Sequence, residues 1–112
     1  MQRDVEKQLI DRLAAARDVQ QFVAGMTFDE YHANKLVKAA VERKFEIIGE
    51  AMSRLARMSP ATASAINEHE KIIAFRNLVF HGYDVVSDPI VWDVISSKLP
   101  VLIADVENLC SN

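Results

Sequence analysis

Residues 27–58 read TFDEYHANKLVKAAVERKFEIIGEAMSRLARM, and this stretch decides the fold. Thr27 and Glu30 have the spacing of a capping box, in which each side chain bonds the other residue's backbone N–H. Apolar residues then recur at helical spacings of three and four: Tyr31, Val37, Val41, Phe45, Ile48, Met52 and Leu55. The stretch therefore predicts one long amphipathic helix that begins at about Phe28 and ends at about Met58.

A second long helix is predicted upstream, over residues 2–24. Its apolar face has the same spacing: Val5, Leu9, Leu13, Ala16, Val19 and Val23. Gly25 is well placed to end this helix, because glycine adopts the left-handed conformation without a Cβ clash.

The chain downstream of Pro60 predicts shorter helices. Residues 59–67 form a connection, the next helix opens at Asn67 or Glu68, and Gly82 is expected to stop it. Residues 87–89, Ser-Asp-Pro, have the pattern of a helix start. Its inward positions are expected to be Ile90, Val91, Val94 and Ile95, with Trp92 as a large anchor. Pro100 is expected to interrupt the chain before a last helix containing Val101, Leu102, Val106 and Leu109.

These elements predict an all-α protein. No stretch alternates in the manner of strands, so we expect an up-and-down helical bundle with two long helices and about three shorter ones. The 112 residues fit a single domain, residues 1–112.

Composition excludes several classes of protein. The formal net charge of −3 argues against a general nucleic-acid coat protein. The single cysteine, Cys110, rules out an internal disulfide and a Cys-rich zinc site. The N-terminus is charged where a signal peptide is apolar, and no apolar run approaches the ~18 residues that span a membrane. We therefore expect a cytoplasmic protein with no membrane contact.

Residues 76–83 carry the candidate chemistry, with Arg76, Asn77, His81 and Tyr83 close together in the chain. If this stretch is helical, Asn77 and His81 lie on one face. Histidine exchanges protons near neutral pH, and arginine binds phosphate through a bidentate fork. Arg76 and His81 together could cleave RNA with no metal and no cofactor, and Asn77 could orient His81. The spacing alone equally allows a polar helix end, where cations stabilise the helix dipole and the tyrosine packs in the core.

A resemblance favours the first interpretation. Arg76, His81 and Tyr83 form an R-x4-H-x-Y pattern, which resembles the motif of the HepT proteins of the HEPN superfamily. AVERKFEIIGEA at residues 40–51 resembles that family's second-helix signature. The similarity continues through Val91-Trp92 and Leu99-Pro100, so it covers essentially the whole chain.

The resemblance implies a HEPN-type bundle that forms a homodimer with a shared RNA-cleaving cleft. It further implies a ribonuclease toxin whose partner, an MntA-type nucleotidyltransferase antitoxin, inactivates it by attaching AMP. By position, Arg76, His81 and Asn77 would be catalytic and Tyr83 would be the modified residue. The alternative is a non-catalytic helical partner, a substrate-recognition subunit of a nucleotidyltransferase.

Residues outside the motif favour structural roles. His32 is expected on a helix surface, since it has no ligand-like partner nearby in sequence. Trp92 has apolar neighbours and is expected in the core rather than as a base-stacking platform. The basic side chains of residues 35–57 suit a solvated face, although they could also steer RNA or bind an acidic partner.

Overall fold

A computed structural model of the chain describes residues 3–65 and 87–111. All the regular structure in these two ranges is helical, which confirms the predicted all-α class. The helices are α1 (Arg3–Phe22), α2 (Phe28–Ala33), α3 (Lys35–Met58), α4 (Pro60–Ser64), α5 (Asp88–Asp93) and α6 (Leu99–Ser111), with a π-helical turn at Val94–Lys98 between the last two. The helix predicted over residues 67–82 lies outside the described residues.

The core lies between α1, α3 and α6. Helix α1 packs along α3, and α6 packs against α1. Each helix contributes side chains that are almost wholly buried, among them Leu9, Val19, Phe45, Ile48, Leu55, Leu102 and Val106. Burying one such side chain contributes about 1.5–3 kcal/mol, so the apolar stripes predicted for both long helices hold the bundle together.

The predicted helix boundaries near residue 27 are confirmed. Thr27 N–H donates to Oε1 of Glu30 at 2.9 Å, and Glu30 N–H donates to Oγ1 of Thr27 at 3.2 Å. Both bonds of the capping box are therefore present. Gly25 has φ +76°, the left-handed conformation expected of a residue that ends a helix.

The prediction of one continuous helix after Phe28 was wrong, because the chain breaks at Asn34. This residue has φ −102° and ψ 94°, which ends α2, and its Oδ1 accepts a 3.0 Å hydrogen bond from Val37 N–H, which starts α3. An asparagine side chain competes with the helix for backbone hydrogen bonds and favours such cap positions. The break lets α2 contact both α3 and α5.

The predicted interruption at Pro100 was also wrong. The chain stays helical from Asp88 through residue 111, and the π-helical turn takes up the proline. Proline has no N–H for the residue 96 carbonyl four positions earlier. In the wider turn, Leu99 N–H instead bonds the carbonyl of Val94, five residues back.

The inward assignment of Ile90 was wrong as well. Ile90 is 49% exposed, whereas Val91 and Ile95 are buried. Helix α5 is short, and within the described residues one of its faces packs on the bundle. Residues four apart share that face, and Ile90 lies about 100° away from Val91 around the helix axis.

Candidate functional site

The predicted site residues Arg76, Asn77, His81 and Tyr83 all lie in residues 66–86, outside the described residues. The structure describes the framework on either side of them. Upstream, α4 ends at Ser64 and packs on α3. Downstream, α5 begins at Asp88, five residues after Tyr83.

Asp88 anchors that downstream end to two other helices. Its Oδ2 lies 3.0 Å from Nζ of Lys38 in α3 and 2.6 Å from Nδ1 of His32 in α2. A carboxylate can only accept, so Nδ1 of His32 carries a proton in this pair. The Asp88 side chain is only 11% exposed and that of Lys38 only 23%. We call these three residues the Asp88 clamp.

The clamp shapes the electrostatics around it. Burial raises the pKa of Asp88, but the hydrogen bonds from Lys38 and His32 outweigh it and hold that pKa below its usual value. Burial also raises the pKa of the neighbouring Glu42, helped by repulsion from Asp88. A low pKa at Asp88 keeps the carboxylate charged and the clamp closed at neutral pH.

Aromatic rings join the same helices beside the clamp. Trp92 in α5 lies 5.2 Å from Tyr31 and 6.2 Å from Phe28, measured between ring centroids. His32 stacks on Phe28 at 5.7 Å. Trp92 is thus partly buried and packed against the core, as predicted. His32 is on the surface as predicted, but it also holds Asp88.

Removing the carboxylate of the clamp is expected to destabilise the fold. In Asp88→Asn, the half-buried Lys38 loses its charged partner, and such a loss costs about 1–2 kcal/mol. Thermal or urea unfolding of the purified variant measures this. Asp93→Asn is the matched control, because Asp93 is an exposed α5 carboxylate bonded only weakly, to Ser97 Oγ at 3.3 Å. Its effect should stay within about 0.5 kcal/mol.

The difference between wild type and Asp88→Asn should depend on pH. The pKa of Asp88 is lower in the folded chain than in the unfolded one, so its contribution is present above about pH 4. The contribution is lost as the pH falls through the folded-state value. Equal free energies of unfolding for the two proteins at neutral pH would show that the clamp does not stabilise the fold.

Arg12 is an unexpected member of the core. Its side chain is 0% exposed, yet none of its three guanidinium nitrogens has a hydrogen-bond partner among residues 3–65 and 87–111. Burial lowers the pKa of Arg12 to about 10, since the charged form loses its hydration. The Tyr31 hydroxyl is buried in the same unpartnered way within these ranges. We expect a buried polar group without a partner to destabilise the fold.

The cations outside the clamp differ in whether they have an acidic partner. Several are ion-paired in the described part of the chain: Lys7 with Asp11, Arg17 with Glu107, Arg43 with Glu46 and Lys44 with Asp18. Arg54 and Arg57 are not paired with any described residue. They line a surface concavity of about 290 Å³ together with Glu50 and Ser53. These two guanidinium groups are therefore available to an anion.

Within the described ranges, no three His, Cys, Asp or Glu side chains come together as metal ligands. No helix in these ranges has the length and apolar composition needed to span a bilayer.

Sequence reasoning missed both the clamp and Arg12. His32 and Lys38 lie 56 and 50 residues from Asp88, so no local pattern joins them. For Arg12 a signal existed. It falls three residues after Leu9 and four before Ala16, which places it on the buried stripe of α1.

Comparison with known proteins gives the family. Two proteins of Methanocaldococcus jannaschii, both named as candidate RNases, are each 30% identical to the chain. One match covers 96% of this chain and 88% of the relative, and the other covers 94% and 95%. A candidate RNase of Caldanaerobacter subterraneus subsp. tengcongensis is 29% identical over 78% of this chain and 77% of its own. No solved structure shows significant similarity. The profile of the HepT-like ribonucleases matches residues 12–109, and the chain belongs to that family.

Proposed function

We propose that this protein is a metal-independent endoribonuclease. The observation that carries the proposal is the family match over residues 12–109, which spans the R-x4-H-x-Y pattern of Arg76, His81 and Tyr83. The relatives named as candidate RNases match nearly the whole chain, so the resemblance is not confined to the motif.

The chemistry requires only the side chains of the motif. The ribose 2′-oxygen attacks the adjacent phosphorus, the bond to the 5′-oxygen breaks, and the products are a 2′,3′-cyclic phosphate and a free 5′-hydroxyl. His81 takes the proton from the 2′-hydroxyl or gives one to the departing 5′-oxygen. Arg76 stabilises the charge that develops on the phosphoryl oxygens, and Asn77 orients His81.

Two copies of the chain would form the active unit. The family resemblance implies a homodimer in which both protomers contribute Arg76 and His81 to one cleft. A proton acceptor and a proton donor are both needed at the phosphate, and two histidines supply them at once. Light scattering after size exclusion would give the mass of this unit.

Tyr83 is proposed as the regulatory residue, and the protein as the toxin of a toxin–antitoxin pair. An MntA-type nucleotidyltransferase would attach AMP to its phenol oxygen. Tyr83 is two residues from His81, so a bulky anionic group there would repel an RNA phosphate. Intact-mass measurement after coexpression with such a transferase would show AMP additions, absent in Tyr83→Phe.

Cleavage of a defined RNA in excess EDTA tests the proposed activity. Purified protein should cut the RNA and leave cyclic-phosphate ends. The same oligonucleotide with 2′-deoxyribose at the cut positions should stay intact, because the attacking oxygen is missing. Cleavage of the deoxy substrate would contradict the mechanism, and no cleavage of RNA by unmodified protein would contradict the function.

A further inference from the structure

The outer face of α3 carries a second feature suited to RNA. We propose that Arg54 and Arg57, which lie outside the R-x4-H-x-Y motif in the sequence, bind phosphates of the single-stranded RNA substrate. The proposal rests on the proposed ribonuclease function, since it assigns a contact to that enzyme's substrate. Ser53 and Glu50 complete the lining of the subsite.

Helical geometry places the four lining residues on one stripe. Residues 50, 53, 54 and 57 follow the spacing i, i+3, i+4, i+7, so their side chains are neighbours. The buried stripe of α3 in this region has the same spacing two residues earlier, at Ile48, Ala51, Met52 and Leu55. An offset of two residues turns the face by about 200°, so the subsite faces away from the core.

Charge pairing distinguishes Arg54 and Arg57 from most other α3 cations. Lys38, Arg43 and Lys44 each have a carboxylate at 3.0 Å or less. Arg54 and Arg57 are exposed and have no such partner among the described residues. A carboxylate partner neutralises part of a cation's charge and occupies donors that a phosphate could use, and these two residues have no such partner in that part of the chain.

The lining fits a phosphate backbone better than a protein. Each guanidinium presents a fork that matches two phosphate oxygens, and the Ser53 hydroxyl adds a donor. A protein partner would need an apolar or aromatic anchor at the centre of its interface, and none of the four lining residues supplies one. With the Glu50 carboxylate included, the four lining residues carry a formal charge of about +1.

Arg57 also lies in the last turn of α3, where a cation stabilises the helix dipole. A purely structural role would therefore change thermal stability and leave RNA affinity unaltered.

The test measures RNA affinity across a salt series. Arg54→Gln/Arg57→Gln is placed in a His81→Ala background, so that the RNA stays intact, and binding of a labelled single-stranded RNA is followed by fluorescence anisotropy. The slope of log affinity against log salt should become shallower by about 1.4, which corresponds to two lost phosphate contacts. Between 50 and 200 mM salt, the parent should then lose about sevenfold more affinity than the double variant.

Arg3→Gln/Lys35→Gln is the matched control. Both residues are exposed, neither is ion-paired within the described ranges, and the net charge changes by the same amount. Its salt slope should equal that of the parent. Equal slopes in the two double variants would show that only the net charge matters, and this would overturn the proposal. A slope in Arg54→Gln/Arg57→Gln equal to that of the parent would also overturn it.

A second variant keeps the test decisive if the first unfolds. Arg54→Lys/Arg57→Lys retains both charges and loses the bidentate fork, so it should keep the parent slope with a severalfold weaker affinity. Unchanged affinity in this variant would overturn the subsite. If wild-type protein does not cleave RNA but the slope change is still seen, the proposed ribonuclease function is wrong and the RNA-binding subsite is supported.

Discussion

His81→Ala is expected to lower the rate of RNA cleavage by about 10²–10⁴-fold, the usual contribution of a positioned acid or base. The 2′-hydroxyl is a poor nucleophile until its proton is removed, and the 5′-oxygen is a poor leaving group until it gains one. Alanine can do neither. In the proposed homodimer the substitution would remove both histidines from the cleft at once, so the larger end of this range is expected.

Single-turnover cleavage of a defined RNA measures the loss, and growth on expression of each variant measures it in cells. His32→Ala is the matched control for histidine loss. His32 is exposed, and Lys38 still holds Asp88 when the imidazole is gone. This control should retain cleavage near the wild-type rate. A His81→Ala protein that cuts RNA at the wild-type rate would remove His81 from the reaction.

Arg12→Met is expected to stabilise the protein by about 2–4 kcal/mol, which raises Tm by roughly 10 °C for a chain of this size. Arg12 is wholly buried, and no described residue accepts a hydrogen bond from it. The shift of its pKa to about 10 corresponds to about 3 kcal/mol of lost hydration. Methionine fills a similar length with a flexible apolar chain and removes that cost.

Thermal unfolding of the purified variant tests this expectation. Arg17→Met is the control on the same helix, because Arg17 is 55% exposed and its pair with Glu107 at 3.3 Å lies on the surface. Surface pairs of this kind contribute about 0–1 kcal/mol, so the control should be neutral or slightly less stable. A lower Tm for Arg12→Met would show that the buried guanidinium has a partner that stabilises it.

Sequence patterns predicted the parts of the fold that depend on neighbours in the chain. The capping box at Thr27 and the glycine at residue 25 are local geometry, and both occur as expected. The break at Asn34 was missed because an asparagine inside an apolar stripe can be helical or can cap a new helix. Packing of α2 against α5 is a tertiary contact, and no local pattern at Asn34 reports it.

At the candidate site too, local patterns could be predicted from the sequence and tertiary contacts could not. The R-x4-H-x-Y pattern can be read from sequence and its family is established, although the motif residues lie outside the described ranges. The Asp88 clamp could not be read, since ion pairs across 50 residues leave no spacing rule. Arg12 was missed for another reason. Its position matched the buried stripe, but a charged residue type argues for the surface.

The π-helical turn at Val94–Lys98 sets how far α6 is rotated about the helix axis relative to α5. Buried residues occur at 91, 95 and 99, and successive spacings of four would drift by about 40° each on a regular α-helix. The wider turn absorbs that drift, so Val91 and Leu102 both face the core. Deleting one residue here would rotate everything downstream by about 100°. Either Asp88 of α5 could then contact α2, or Leu102 of α6 could pack against α1, but not both.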